Sequence, residues 1–153
     1  MAMKRHEYYW EDFPAGSVRE FGGITVSRED ILRFAKEYDP QPFHVDEEAA
    51  SRSPFGGLIA SGWQTCGLAM RMACDAFLLQ SASVGSPGIE NIRWVKPVRP
   101  GDKLRVRLTV KEARPLKTKP NVGLVLNHWQ VLNQDGDEVM QMDGYGMFLR
   151  RDV

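Results

Sequence analysis

The feature that most constrains the fold is the stretch 63–80, which reads as one helix that is apolar nearly all round. It carries Trp63, Cys66, Leu68, Ala69, Met70, Met72, Ala73, Ala76, Phe77, Leu78 and Leu79, and only Arg71 and Asp75 break it with charge. A helix without a polar face must be wrapped by other structure rather than laid on a surface. The run is too short and too interrupted to span a bilayer.

The C-terminal half of the chain supplies the wrapping. From Ile89 onward the pattern changes to strands: residues 89–96, then a turn signalled by Pro100-Gly101, then residues 104–110 with clean alternation. A further strand covers 122–132, Asn133-Gln134-Asp135-Gly136 turns the chain, and a last strand covers 138–150. The class implied is α+β, an antiparallel sheet curled round a buried helix. A chain of 153 residues is one domain's worth, and with 42% hydrophobic residues it can bury a real core without disulfides. Cys66 and Cys74 lie eight residues apart on one helix, about 12 Å, which is too far for a bridge. Two unpaired thiols suggest a reducing, cytoplasmic setting. The start of the chain is charged but lacks an apolar segment, so it is not read as a secretory signal.

Ahead of the long helix, residues 17–26 read as a strand with a bulge at Gly22-Gly23. Ser27 resembles a helix cap, and behind it Ile31, Phe34, Ala35 and Tyr38 recur at helical spacing. Pro40 ends that helix, because it disfavours the helical conformation at Asp39. Asp46 reads as the N-cap of a short helix at 47–50. Between them lies the loop Tyr38-Asp39-Pro40-Gln41-Pro42-Phe43-His44. Taken alone, its Asp39 and His44 are incidental polar groups in a helix-terminating loop.

Four segments in register change that reading. Asp39, Pro42, His44 and Asp46 stand at the spacings of the loop Gly-Asp-x-Asn-Pro-x-His-x-Asp. Ile59-Ala60-Ser61-Gly62 stands where that pattern has Ile-Ala-His-Gly, and the turn at 97–102 and the late 133–136 also fit. Over about 11–150 the chain resembles the MaoC-like dehydratases, which include the (R)-specific enoyl-CoA hydratases of the hot-dog fold. The resemblance implies one hot-dog domain over 1–153. It also implies an acyl-CoA hydratase or dehydratase in which Asp39 and His44 are catalytic. Tyr38, Gln41 and Ser61 depart from the pattern's glycine, asparagine and histidine.

Hydrating an enoyl thioester needs a base for water, an acid for the α-carbon and donors for the developing enolate oxygen. An imidazole ordinarily titrates near neutrality, which suits the first role. Asp39, five residues away across a turn stiffened by Pro40 and Pro42, can share the same water. The sequence does not decide which of the two is acid and which is base. Free N–H groups at the helix start near Gly62 are the candidate oxyanion donors, and the resemblance implies that role for Gly62. Ser61 and Gln41 are further candidate substrate contacts, Ser61 equally a helix cap. The reach of an acyl chain then depends on how Phe55, Trp63, Met70 and Phe77 pack.

Net charge is zero, but residues 91–120 carry ten Lys and Arg against two acids. Three readings are open for this segment: a solvated sheet face, a set of contacts to the phosphates of coenzyme A drawn from Arg93, Lys96, Arg99, Lys117 and Lys119, or a nucleic-acid surface. The last has no accompanying motif. No Cys/His spacing resembles a metal site, and no cofactor is expected beyond the coenzyme A of the substrate. An open sheet edge predicts a homodimer or higher homo-oligomer. Two alternatives stand beside the lyase: a hot-dog thioesterase, and a non-catalytic acyl-CoA-binding protein.

Overall fold

A computed structural model describes residues 5–151; the charged start at 1–4, part of the segment not read as a secretory signal, lies outside them. After a 3-10 turn at Trp10–Asp12 the chain forms β1 (Val18–Thr25), then three helices, α1 (Arg28–Tyr38), α2 (Pro42–Val45) and α3 (Glu47–Arg52). The long helix α4 (Gly62–Ala76) comes next, then a 3-10 turn at Leu78–Gln80 and the strands β2 (Ile89–Trp94), β3 (Lys103–Pro115), β4 (Val122–Leu132) and β5 (Glu138–Leu149).

The five strands form one antiparallel sheet in the order β1-β3-β4-β5-β2. One face is a continuous apolar surface of Leu104, Val106, Leu108 and Val110 from β3 with Val125, Trp129 and Val131 from β4. It packs on Ala69, Met72 and Ala73 of α4 in a single core. This is the hot-dog arrangement, a sheet wrapped round one helix. The bulge expected at Gly22-Gly23 is present as a register shift between Gly22 and Ile24.

Local signals explain the element ends. Ser27 Oγ accepts from the Asp30 N–H at 3.1 Å and starts α1. Asp46 Oδ1 accepts from the Glu48 and Ala49 N–H groups and starts α3, so Asp46 is a cap. At the last hairpin, Asn133 Oδ1 accepts from the Asp135 and Asp137 N–H groups while Gly136 takes φ +79°.

Three expectations need correction. The long helix ends at Ala76 rather than near residue 80. Phe77 leaves helical geometry at φ −155°, ψ −29°, and turns its buried ring onto Phe13 and Phe21. Nor is α4 covered all round: Trp63 and Met70 remain 58% and 43% exposed along one stripe. Tyr38, expected on the apolar face of α1, is exposed beside Phe34.

Candidate active site

The polar residues singled out in the loop and at the helix start meet in one place. Pro40 halts α1, and Pro42 then begins the single turn α2, where its missing N–H costs nothing. The sequence signals only a loop there; the turn's effect is to swing His44 inward, where it is 4% exposed. His44 Nδ1 lies 2.7 Å from the carbonyl oxygen of Ile59. A carbonyl only accepts, so Nδ1 carries the proton and Nε2 is the other face of the ring. That face points at Asp39, with Nε2 3.2 Å from Oδ2.

Asp39 is held from three sides. The Ser61 hydroxyl donates to Oδ2 at 2.7 Å, and the Gln41 amide donates to Oδ1 at 2.8 Å. Burial by itself would push the carboxyl up, but the hydrogen bonds from Gln41 and Ser61, with the imidazole opposite, outweigh it and hold Asp39 below its ordinary value. Of the two roles left open for Ser61, the structure shows the helix cap. Its hydroxyl donates to Asp39 and accepts from the Trp63 N–H at 3.3 Å as the N-cap of α4. Gln41, expected to touch substrate, lines the cleft and donates to the carboxylate.

Gly62 is the first residue of α4, where a helix leaves its N–H groups without intrahelical acceptors. The approach to it is pinned by two backbone bonds, Ile59 N–H to Phe43 O and Ala60 N–H to Val98 O. Beside Gly62 stands the indole of Trp94, so close that a β-carbon at position 62 would lie 2.3 Å from Cε2. Trp94 also meets Trp63 edge to face, ring centres 5.3 Å apart. These groups open onto a cleft of about 470 Å³ lined by Asp39, Gln41, His44, Gly62 and Thr65, with walls of Phe43, Phe55, Trp63, Trp94 and Val98. It falls in the size range of small-molecule sites.

Of the Lys and Arg side chains in 91–120, Lys96 lines the cleft, where it pairs with Asp137 at 2.6 Å. Arg99 reaches the rim and donates to the Phe55 carbonyl at 2.6 Å. Lys117 and Lys119 lie in the β3–β4 hairpin, a full strand length from that rim. Arg105 and Arg107 stand on the exposed side of β3, where Arg107 meets Glu20. Met70 and Phe77, expected to shape the same tunnel as Phe55 and Trp63, line a separate cavity. Trp94 and the Ile59 carbonyl have no signal in the sequence, because neither a strand-end aromatic nor a backbone acceptor leaves a motif.

Among the described residues no group of three or more His, Cys, Asp or Glu could hold a metal, and no helix is long and apolar enough to cross a membrane. Cys66 and Cys74 are both free thiols. Burial pushes the Cys66 thiol up, away from the reactive thiolate.

Comparison with known proteins shows the family and the fold. Residues 12–130 match the family described as MaoC like domain, and the chain belongs to that family. Its relatives include the uncharacterized protein YdeM of Bacillus subtilis, 34% identical over 116 residues, covering 76% of this chain and 82% of that one. Another is the 3-hydroxybutyryl-CoA dehydratase of Methylorubrum extorquens, 28% identical over 139 residues, 88% of this chain and 83% of that one. Among solved structures, the MaoC-like dehydratase from Rhodospirillum rubrum superposes with a TM-score of 0.89 at 38% identity, covering 95% of this chain and 99% of that one.

Proposed function

We propose that the protein is a lyase that adds water to a 2-enoyl thioester, or removes it from a 3-hydroxyacyl thioester, with the acyl group carried on coenzyme A. One observation carries this reading: Nε2 of His44 faces Asp39 at 3.2 Å inside a cleft that also opens onto the N-terminus of α4.

In the hydration direction, water sits against Nε2. His44 takes its proton as the oxygen attacks the β-carbon, and the C=C electron pair moves onto the thioester oxygen. The Gly62 N–H and the positive end of α4 receive that oxygen as it becomes an enolate. As the enolate collapses, His44 returns the proton to the α-carbon, so one water adds across the double bond. Asp39 stays ionised throughout and stabilises the transient imidazolium. Ser61 and Gln41 hold Asp39 in place. Lys96 and Arg99 at the rim are the cations within reach of the coenzyme A phosphates.

The functional unit is a homodimer joined along β2. This strand is a sheet edge whose Ile89 and Trp94 are half exposed, next to the uncovered Trp63 and Met70 of α4.

The test is direct. Purified protein is mixed with crotonyl-CoA and a panel of longer and branched enoyl-CoAs, and the conjugated enoyl absorbance is followed. Turnover that His44→Ala abolishes is the expected result. Release of free thiol without loss of enoyl absorbance would assign hydrolysis instead. Tight binding with neither reaction would assign a non-catalytic carrier.

A further inference from the structure

The cleft is built at its two ends by different parts of α4. Gly62 begins the helix, and Thr65 lines the inner end of the cleft with Val98 and Val139, all at most 4% exposed. A second cavity, of about 260 Å³, lies further along α4 and β5, beside Met70 and Met142. It shares no lining residue with the cleft.

A pair of sulfur atoms stands between the two. Cys66 follows Thr65 on α4, and Met140 follows Val139 on β5, two residues before Met142 and on the same face. The Cys66 thiol donates to the Met140 thioether at 3.4 Å. That is van der Waals contact, so no acyl chain passes between the two side chains. Met140 has no exposed surface and belongs to the core, where close packing holds its side chain in place. Trp94 ties this contact to the site: its indole stands over Gly62, and its main chain pairs with Met140 across the β2–β5 ladder. Gly62 and Cys66 are four residues apart, about 6 Å along a helix, the reach of a short acyl chain.

We infer that the contact between Cys66 and Met140 closes the inner end of the cleft and restricts the enzyme to short acyl chains. The inference rests on the lyase reading, and deepens it from a reaction to a class of substrate.

The experiment measures kcat/KM on crotonyl-CoA, 2-hexenoyl-CoA, 2-octenoyl-CoA and 2-decenoyl-CoA. Wild-type protein favours crotonyl-CoA over 2-octenoyl-CoA by about tenfold or more, because a chain stopped at the wall cannot bring its carbonyl to Gly62. Met140→Ala removes one side of the contact. Cys66→Ala removes the other at a half-buried position, where the fold is less at risk. Each raises the octenoyl-to-crotonyl ratio by about fivefold or more, whereas a merely structural loss lowers both rates together. Met140→Leu conserves volume and keeps the wild-type ratio. Three results overturn the inference while leaving the lyase reading intact: wild-type efficiency on 2-octenoyl-CoA equal to or above that on crotonyl-CoA, a ratio that neither alanine variant moves, or a shift in Met140→Leu as large as in Met140→Ala. Absence of turnover on every chain faults the lyase reading alone. The same comparison then passes to calorimetry with saturated butyryl-CoA and octanoyl-CoA. Wild-type protein binds butyryl-CoA at least as tightly, and tighter binding of octanoyl-CoA overturns the inference.

Discussion

The hydroxyl of Ser61 joins the start of α4 to the carboxylate of Asp39, donating to Oδ2 at 2.7 Å while accepting from the Trp63 N–H. Ser61→Ala removes both bonds. Without its donor, Asp39 rises toward its ordinary value, so the acid limb of the kcat/KM–pH profile moves to higher pH. The stability effect has a defined sign. A depressed carboxyl stabilises the fold above its unfolded-state titration and loses that contribution as pH falls through its native one. The difference in Tm between wild type and Ser61→Ala is therefore largest near neutrality and shrinks in acid. Cap loss alone costs about 1 kcal/mol, roughly 2–4 °C in a chain of this size. A pH profile superposable on wild type would refute the role given to Ser61.

His44→Ala and Asp39→Asn each lower kcat, by about 10² to 10⁴ for loss of the proton carrier. The two differ in kind. Asp39→Asn keeps the side-chain shape and lets Nε2 still meet water, so it retains more activity than His44→Ala. Stopped-flow hydration of crotonyl-CoA with circular dichroism of both variants decides this; equal residual rates would place Asp39 directly in proton transfer.

Gly62→Ala forces a β-carbon against the Trp94 ring, which must swing away from its present position. Displacing the oxyanion donor and its neighbour by about 1 Å lowers kcat/KM on the order of 100-fold. In a Trp94→Ala background the same substitution costs less, because the collision is gone. A double-mutant cycle on kcat/KM measures this coupling, and strict additivity would show that the ring has no part in the effect.

Asp46→Ala tests the remaining carboxylate of the loop. Its oxygen caps α3 through two backbone N–H groups, so the variant loses about 1 kcal/mol of stability. Its kcat on crotonyl-CoA stays within about twofold of wild type, since surface caps act on the fold rather than the reaction. A hundredfold fall in kcat with an unchanged Tm would make Asp46 a catalytic candidate again.

Light scattering at micromolar concentration gives the mass of a dimer, and Ile89→Lys on the β2 edge shifts it toward the monomer. A single-subunit mass for the wild type would remove the basis for a shared interface.

Much of the fold and site is legible in the sequence because the signals are local. Ser27 and Asp46 announce their helices through oxygen atoms that reach only two or three residues. The turns at Gly101 and Gly136 need positive φ that glycine supplies freely. Asp39, His44 and Gly62 can be placed because their spacing matches a pattern. The features without a sequence signal depend on tertiary contact. The helical turn at α2 is too short for any periodicity to register. The end of α4 is set by the packing of Phe77 against Phe13 and Phe21, which lie far off in sequence. The stripe of Trp63 and Met70 resembles core because an apolar residue reads the same whether its own chain or another covers it. The bond from the Gln41 amide to Asp39 has no signal either, because a residue type does not reveal which way its amide turns.

The bond from His44 Nδ1 to the Ile59 carbonyl has a consequence of its own. The acceptor belongs to the main chain, so no side-chain replacement at Ile59 deletes it. An alanine scan would pass over the position and score it as inert. Only a change in the path of the backbone, by insertion, deletion or an ester in place of the amide, can reach the group that fixes the tautomer. The orientation of the imidazole is thereby insulated from most of the point mutations that this segment can acquire.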